Sequence, residues 1–160
     1  MYAVAITDIG WFEFLRSHNS SEVINFWTPT PWGIRRLESG SKFYFFLKLP
    51  YRKIAGSGNF VKYSEMTIQE SWDRYGYGNG CENFNELKVK IRDFLGSPLT
   101  TDLTNHKIGC IELTGGKFLN TARIFNPSRF SINIPRTLQR FTYFDGEDPF
   151  EEYLNEHGKP

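Results

Sequence analysis

The sequence predicts an α+β domain: a strongly curved mixed β-sheet or small barrel, with two or three helices. Three observations carry that expectation. Strand-like apolar patterns stand at both ends of the helical region, over 42–49 and 107–113. Two capping boxes, Thr67 with Glu70 and Asn83 with Glu86, start helices between those strands. No regular strand–helix alternation runs through the chain, so a doubly wound parallel sheet is not expected.

The elements follow in order. Tyr2–Ile6 is a short strand, and Thr7-Asp8 offers an N-cap for a helix over 10–17. Trp11, Phe14 and Leu15 share one face of it, which makes core packing their default role; His18–Ser21 ends it. Asn25 to Gly33 then sets Trp27 and Trp32 around Pro29 and Pro31, and the prolines mark a stiff loop suited to recognition. Along Lys42–Leu49, residues Phe43, Phe45, Leu47 and Leu49 form a core face. Lys42, Tyr44, Phe46 and Lys48 form the other, and its mixture of rings and amines exceeds what a solvated face needs. A basic loop, Tyr51-Arg52-Lys53, leads to a strand over 54–63 in which Gly56 and Gly58 mark a bulge or a close approach. Helices are expected over 67–75, stopped by Gly76, and over 84–95, stopped by Gly96-Ser97-Pro98. After the strand at 107–113, Thr114-Gly115-Gly116 reads as a hairpin turn into Lys117–Leu119. Alternation at 130–134 and the run 142–144 suggest further strands.

At 160 residues the chain suits one domain. Aromatic residues make up 17% of it, more than one modest core requires, which turns attention to binding. Cys81 and Cys110 have neither a disulfide framework nor metal-ligand spacing, and read as reduced thiols of a cytoplasmic protein. Asp8 and Glu13 interrupt the first apolar run, so no signal peptide is expected, and no stretch approaches the roughly 20 apolar residues of a membrane span. Six acids and no base lie between Asp145 and Glu156, which leaves residues 1–144 at net +6 in a chain of net +1. The expected organisation is therefore a basic domain over 1–144 and an acidic linker over 145–160. No two of His18, His106 and His157 stand at metal-ligand spacing, and no nucleophile–base pair is identifiable. Gly76, Gly78 and Gly80 follow a helix rather than a strand, unlike a nucleotide-binding fingerprint. A binding domain is expected rather than an enzyme, with no catalytic residues, no metal and no cofactor.

Several motifs carry a resemblance. Asn25-Phe26-Trp27-x-Pro29, Phe45-Phe46-Leu47-Lys48, Ile54-x-Gly56-x-Gly58-x-Phe60, Trp72-x-x-Tyr75-Gly76-x-x-Asn79-Gly80 and Ile108-Gly109-Cys110-Ile111-x-Leu113 span most of 1–115. In that order and spacing they resemble the N-terminal domain of bacterial HNH endonucleases of the restriction type. His157-Gly158-Lys159-Pro160 is similar to the segment that precedes the HNH nuclease, and no nuclease motif is present in the chain. The aromatic loop, apolar strand and glycine-containing strand ending near Ser64-Glu65-Met66 also resemble the PUA superfamily, which includes EVE, YTH, ASCH and SRA domains.

The resemblance implies a bacterial, cytoplasmic reader of a modified base, most simply a modified cytosine, in double-stranded DNA. Its partner in a longer protein would be a covalently linked HNH nuclease domain, with the base flipped into an aromatic cage. Trp27 matches the cage tryptophan, Trp32 shares its stiff loop, Trp72 supplies a second wall, and Tyr44 and Phe46 the floor. Asn25, Ser57 and Asn59 would read the base edge, and Arg35, Arg36, Arg52, Lys53 and Lys62 would hold phosphates. Such a cage must offset the few kcal/mol lost when a base leaves its stack, and aromatic stacking returns about 1–3 kcal/mol. A notch for a buried methyl adds about 0.8 kcal/mol. Two rivals remain: an RNA- or modified-nucleotide-binding PUA-like domain, and a protein-interaction module with an aromatic groove. Salt separates them, because only phosphate contacts make affinity fall steeply with ionic strength.

Overall fold

Phe43, Tyr44, Phe45 and Phe46 are all buried, so the strand that carries them lies in the middle of the sheet with both faces covered. A computed structural model describes residues 1–18 and 22–160; Asn19, Ser20 and Ser21, part of the stretch expected to end the first helix, lie outside it. Six strands are present among these residues: β1 (Tyr2–Thr7), β2 (Val23–Thr28), β3 (Lys42–Leu47), β4 (Ile54–Thr67), β5 (Lys107–Phe118) and β6 (Phe141–Phe144). They form one mixed sheet in the order β2-β5-β4-β3-β1-β6. Only β1 and β3 are parallel; the other pairs are antiparallel. Four α-helices accompany it, α1 (Ile9–Ser17), α2 (Ile68–Tyr75), α3 (Phe84–Leu95) and α4 (Glu151–His157). The expected α+β class and mixed sheet are observed, with four α-helices among the described residues where two or three were expected.

Local chemistry accounts for the helix starts. The Asp8 carboxylate accepts from the Trp11 N–H and caps α1. At α2, Thr67 Oγ1 accepts from the Glu70 N–H while Glu70 accepts from the Thr67 N–H, a reciprocal capping box. At α3, Asn83 accepts from the Glu86 N–H, but Glu86 reaches back to the Glu82 N–H, so only half of the expected box forms. Replacing Thr67 by alanine should cost about 1 kcal/mol of stability in urea unfolding. A variant as stable as its parent would show that the α2 start is held by packing alone.

The glycines of β4 do what their position in a strand suggests. A Cβ on Gly56 would lie 2.5 Å from the Lys117 carbonyl and 2.9 Å from the Phe45 ring. The β4–β5 register shifts between Ser57 and Asn59, and the Gly58 between them marks the bulge. Gly115 is different from expectation. The segment Thr114-Gly115-Gly116 makes no hairpin; β5 runs on through it to Phe118, with Gly115 at φ +59. Residues 130–134 form no strand either. Asn126 caps a 3₁₀ turn over Pro127–Phe130, and Ile132 and Ile134 pack from the loop beyond.

Three clusters make up the interior. On one face of the sheet, Trp11, Phe12 and Leu15 of α1 cover Phe26, Phe43, Phe45 and Phe118. On the other, Tyr2, Val4, Tyr44 and Phe46 pack under Phe125, Phe150 and Leu154. The third lies beneath α2 and α3, on Ile108 and Cys110 of β5. Phe150 and Leu154 belong to the segment expected to be an acidic linker. Instead of running free, 145–160 folds back through α4 and bridges Lys159 to Phe118. Two of its acids are engaged in doing so: Asp148 accepts from the Tyr44 hydroxyl, and Glu151 pairs with Lys42 at 3.6 Å. Among the described residues no helix is long and apolar enough to cross a membrane.

Candidate functional site

The parallel strands β1 and β3 end side by side, with Ile6 opposite Phe46 and Thr7 opposite Leu47. Past their ends the Lys48 N–H donates to the Thr7 carbonyl at 3.1 Å, and the Ile6 N–H to the Arg140 carbonyl at 2.7 Å. Those two bonds draw Asp8, Lys48 and Arg140 into one corner. The outer strand β2 brings Phe26 and Trp27 towards it, α1 brings Trp11, and the loop after β2 brings Pro29, Thr30 and Trp32. Between them lies a cavity of about 270 Å³, closed further by Phe94 of α3 and by Gln139.

Each tryptophan is held. The Trp11 indole N–H donates to the Asn25 carbonyl at 3.2 Å, and the Trp27 indole N–H to the Asn79 carbonyl at 2.9 Å. Both polar edges are thereby spent on backbone, and the rings meet the cavity as apolar surface. Trp27 packs edge to face on Phe94, with centroids 5.7 Å apart. Trp32 rests on Phe141 at 5.3 Å, and its backbone N–H donates to the Tyr63 hydroxyl at 3.1 Å. Burial is the main reason the Tyr63 phenol titrates above its ordinary range, so it stays protonated.

Two cations reach the same space. The Lys48 ammonium lies 4.3 Å from the Phe94 ring centroid, and the Arg140 guanidinium 5.7 Å from that of Trp32. Asp8 is the one acid in the lining, and its carboxylate already accepts from the Trp11 N–H at 3.0 Å. The cavity therefore offers apolar ring walls, a net positive edge and a few polar groups from Thr30, Gln139 and Asp8.

Of the residues singled out for base binding, Trp27 and Trp32 line this cavity and the others do not. Asn25 lies behind the wall, buried, where its amide meets Asn79 Oδ1 at 2.9 Å and Ser71 Oγ at 3.1 Å. The network also takes in Cys110, whose thiol burial pushes up to about 11. Asn25 thus supports the Asn79 turn that holds Trp27, and is not exposed to a ligand. Tyr44 and Phe46 face the opposite side of the sheet, because β3 is covered on both faces; burial and the bond to Asp148 drive the Tyr44 pKa far up. Ser57 is buried within β4, and Asn59 accepts from the Lys42 ammonium at 2.7 Å. Trp72 is half-buried on α2 against Tyr77 and the third cluster, away from the cavity.

The cations expected at phosphates are likewise dispersed. Arg36 stacks over Tyr143 at 5.1 Å and pairs with Asp145 at 4.0 Å. Arg52 donates to the Ile134 carbonyl at 3.1 Å and lies over Phe46, on the far face. Arg35, Lys53 and Lys62 are exposed, and none of the five lines the cavity. The sequence singled out Trp27 and Trp32; Lys48 stood out only as one of the amines alternating with Tyr44 and Phe46, and was not among the cations expected at phosphates. Nothing local pointed to Phe94 or Arg140, which reach the corner from α3 and from the approach to β6. Trp27 itself stands on β2, a paired strand, rather than in the stiff loop expected for it; Trp32 is in the loop.

Three solved structures of ASCH from Zymomonas mobilis are similar in fold. The unmodified protein superposes with a TM-score of 0.57 at 14% identity, over 98% of this chain and 96% of that one. A tyrosine-to-phenylalanine mutant gives 0.57 at 15% identity over 98% and 99%, and a serine-to-alanine mutant 0.55 at 14% over 98% and 96%. The likeness is one of fold, and it extends over nearly the whole of both chains. No family model and no curated protein matches the sequence.

Proposed function

We propose that the chain binds nucleic acid and takes a single unstacked base into the tryptophan-walled cavity. The observation that carries this reading is the meeting of Trp11, Trp27 and Trp32 with Lys48 and Arg140 around one open-mouthed cavity. Pockets for drug-sized ligands run about 300–1,000 Å³. At about 270 Å³ the cavity suits one base better than two. Stacking on its rings is worth about 1–3 kcal/mol per base. Lys48 and Arg140 sit where the phosphates of that nucleotide would be carried. A groove for an apolar peptide would have no use for two cations at its edge, which weighs against a protein-interaction module.

RNA and DNA both fit this description, and the ASCH-like fold supports either. Reading a modified base in DNA, as the targeting half of an HNH endonuclease, is a finer version that rests on the sequence resemblance. The apolar walls around the cavity suit a base carrying an added methyl. The domain would act by binding, with the chemistry done elsewhere.

Titration against single-stranded RNA, single-stranded DNA, plain duplex and duplexes with modified cytosine or adenine tests the proposal. Affinity should fall steeply with salt, and Lys48→Gln and Arg140→Gln should each make the log–log slope shallower by about one. Slopes unchanged in both variants would remove these cations from the interface. Absence of binding to every one of these ligands would overturn the proposal.

A further inference from the structure

One apolar element beside the cavity is left unused by that reading. The turn from β3 to β4 carries Leu49, 76% exposed, and Tyr51, 46% exposed, immediately beyond the cavity residue Lys48. Single exposed apolar side chains are common and prove nothing alone. This one is displayed on a braced turn. The Leu47 N–H donates to the Lys53 carbonyl at 2.9 Å, the Tyr51 N–H to the Lys48 carbonyl at 3.0 Å, and the Arg52 N–H to the Leu47 carbonyl at 3.1 Å. The Arg52 side chain ties the turn to Ile134 from behind. At its root, Lys48 is fixed to β1 through Thr7 and rests on Phe94. No acid occurs from Leu47 to Lys53, while Lys48, Arg52 and Lys53 make the turn basic. The result is a rigid apolar tip with cations around it, standing at the edge of a space sized for one base.

We propose that Leu49 is a wedge that enters the base stack of duplex DNA as the neighbouring base leaves for the cavity. The inference rests on the cavity reading and extends it to a double-stranded substrate. A base drawn out of a duplex leaves a gap and an unstacked neighbour, and an apolar side chain inserted between base steps fills it. Lys48 and Lys53 flank the tip where it would meet the strand, and their charge complements the phosphates. A single strand has no such gap, so the wedge should matter only for the duplex.

The test compares the parent protein with Leu49→Ser and Leu49→Phe. Each is titrated with a short fluorescent DNA duplex containing one mismatched pair, and with the two separated strands. Leu49→Ser should lose about ten- to a hundredfold in affinity for the duplex, the range for burying one leucine side chain. Its affinity for the single strands should stay at the parent's level, and Leu49→Phe should restore duplex binding. Equal losses on duplex and single strands, or no loss on either, would overturn the wedge. A parent that binds the strands but not the duplex would also overturn it while leaving the cavity reading intact. A parent that binds neither form of DNA would overturn the wedge, and if it failed to bind single-stranded RNA as well it would overturn the cavity reading itself.

Discussion

Replacing Trp27 with alanine should lower nucleic-acid affinity and stability together. Its ring lines the cavity, so losing it removes stacking of about 1–3 kcal/mol, or about five- to more than a hundredfold in affinity. The same ring packs on Phe94 and borders both the first and third clusters, and its indole N–H holds the Asn79 carbonyl. A fully buried tryptophan costs about 3–5 kcal/mol on truncation to alanine. Trp27 is half-buried, so the loss should fall below that range. Trp27→Phe separates the two roles, because it keeps a stacking face and gives up the bond to Asn79. Melting curves with anisotropy titrations check both. A folded Trp27→Ala protein that binds like its parent would place the base elsewhere. A tryptophan can serve as cage wall or as core filler, and the position of Trp27 near the end of a paired outer strand, half-buried against two clusters, gives it both parts.

A second large effect is expected at a residue that no ligand touches. Phe45 is fully buried in β3, edge to face with Trp11 at 5.1 Å and stacked near Phe26 and Phe118. Phe45→Ala should cost about 3–5 kcal/mol in urea unfolding. That is a large part of the roughly 5–15 kcal/mol that holds a typical domain folded. Trp11 and Phe26 are also cavity walls, so any folded fraction should bind base more weakly as those rings lose their support. Leucine at the same site keeps most of the volume and should do less harm. A loss under about 1 kcal/mol would mean that the core closes over the gap without moving the walls.

What the sequence made legible was mostly local. Helices α2 and α3 begin and end where Thr67, Asn83, Gly76 and Gly96 say they should, because capping chemistry is settled within one turn. The alternation of β3 was correct from Phe43 to Leu47, but Leu49, expected on the core face, lies exposed beyond the strand, and the meaning of the other face was missed. Tyr44 and Phe46 looked like a ligand face beside amines, and only the cover of Phe150, Leu154 and Phe125 shows that face to be core. That cover comes from a segment whose acids suggested a linker, since two buried apolar anchors weigh little in its charge-rich composition. The cavity was half visible. Trp27 and Trp32 stood out by residue type, whereas Arg140 and Phe94 join them only once β1 has paired with β3. Long-range pairing leaves no local mark, and this site depends on it.

The place of β1 in the sheet also bears on how the chain comes to be folded as it is made. β1 is synthesised before the other five strands of the sheet, and it lies between β3 and β6. One of its edges can pair once residues 42–47 have appeared, but the other waits for residues 141–144. At about 5–20 residues per second that delay is on the order of ten seconds. Throughout it the nascent protein carries an open, apolar strand edge, the kind of surface that recruits other chains. The shortest strand of the sheet, made last, is therefore the one that ends this exposure. Arg140, at the cavity, is fixed to Ile6 in the same closing step, so the site is finished only as the sheet is sealed.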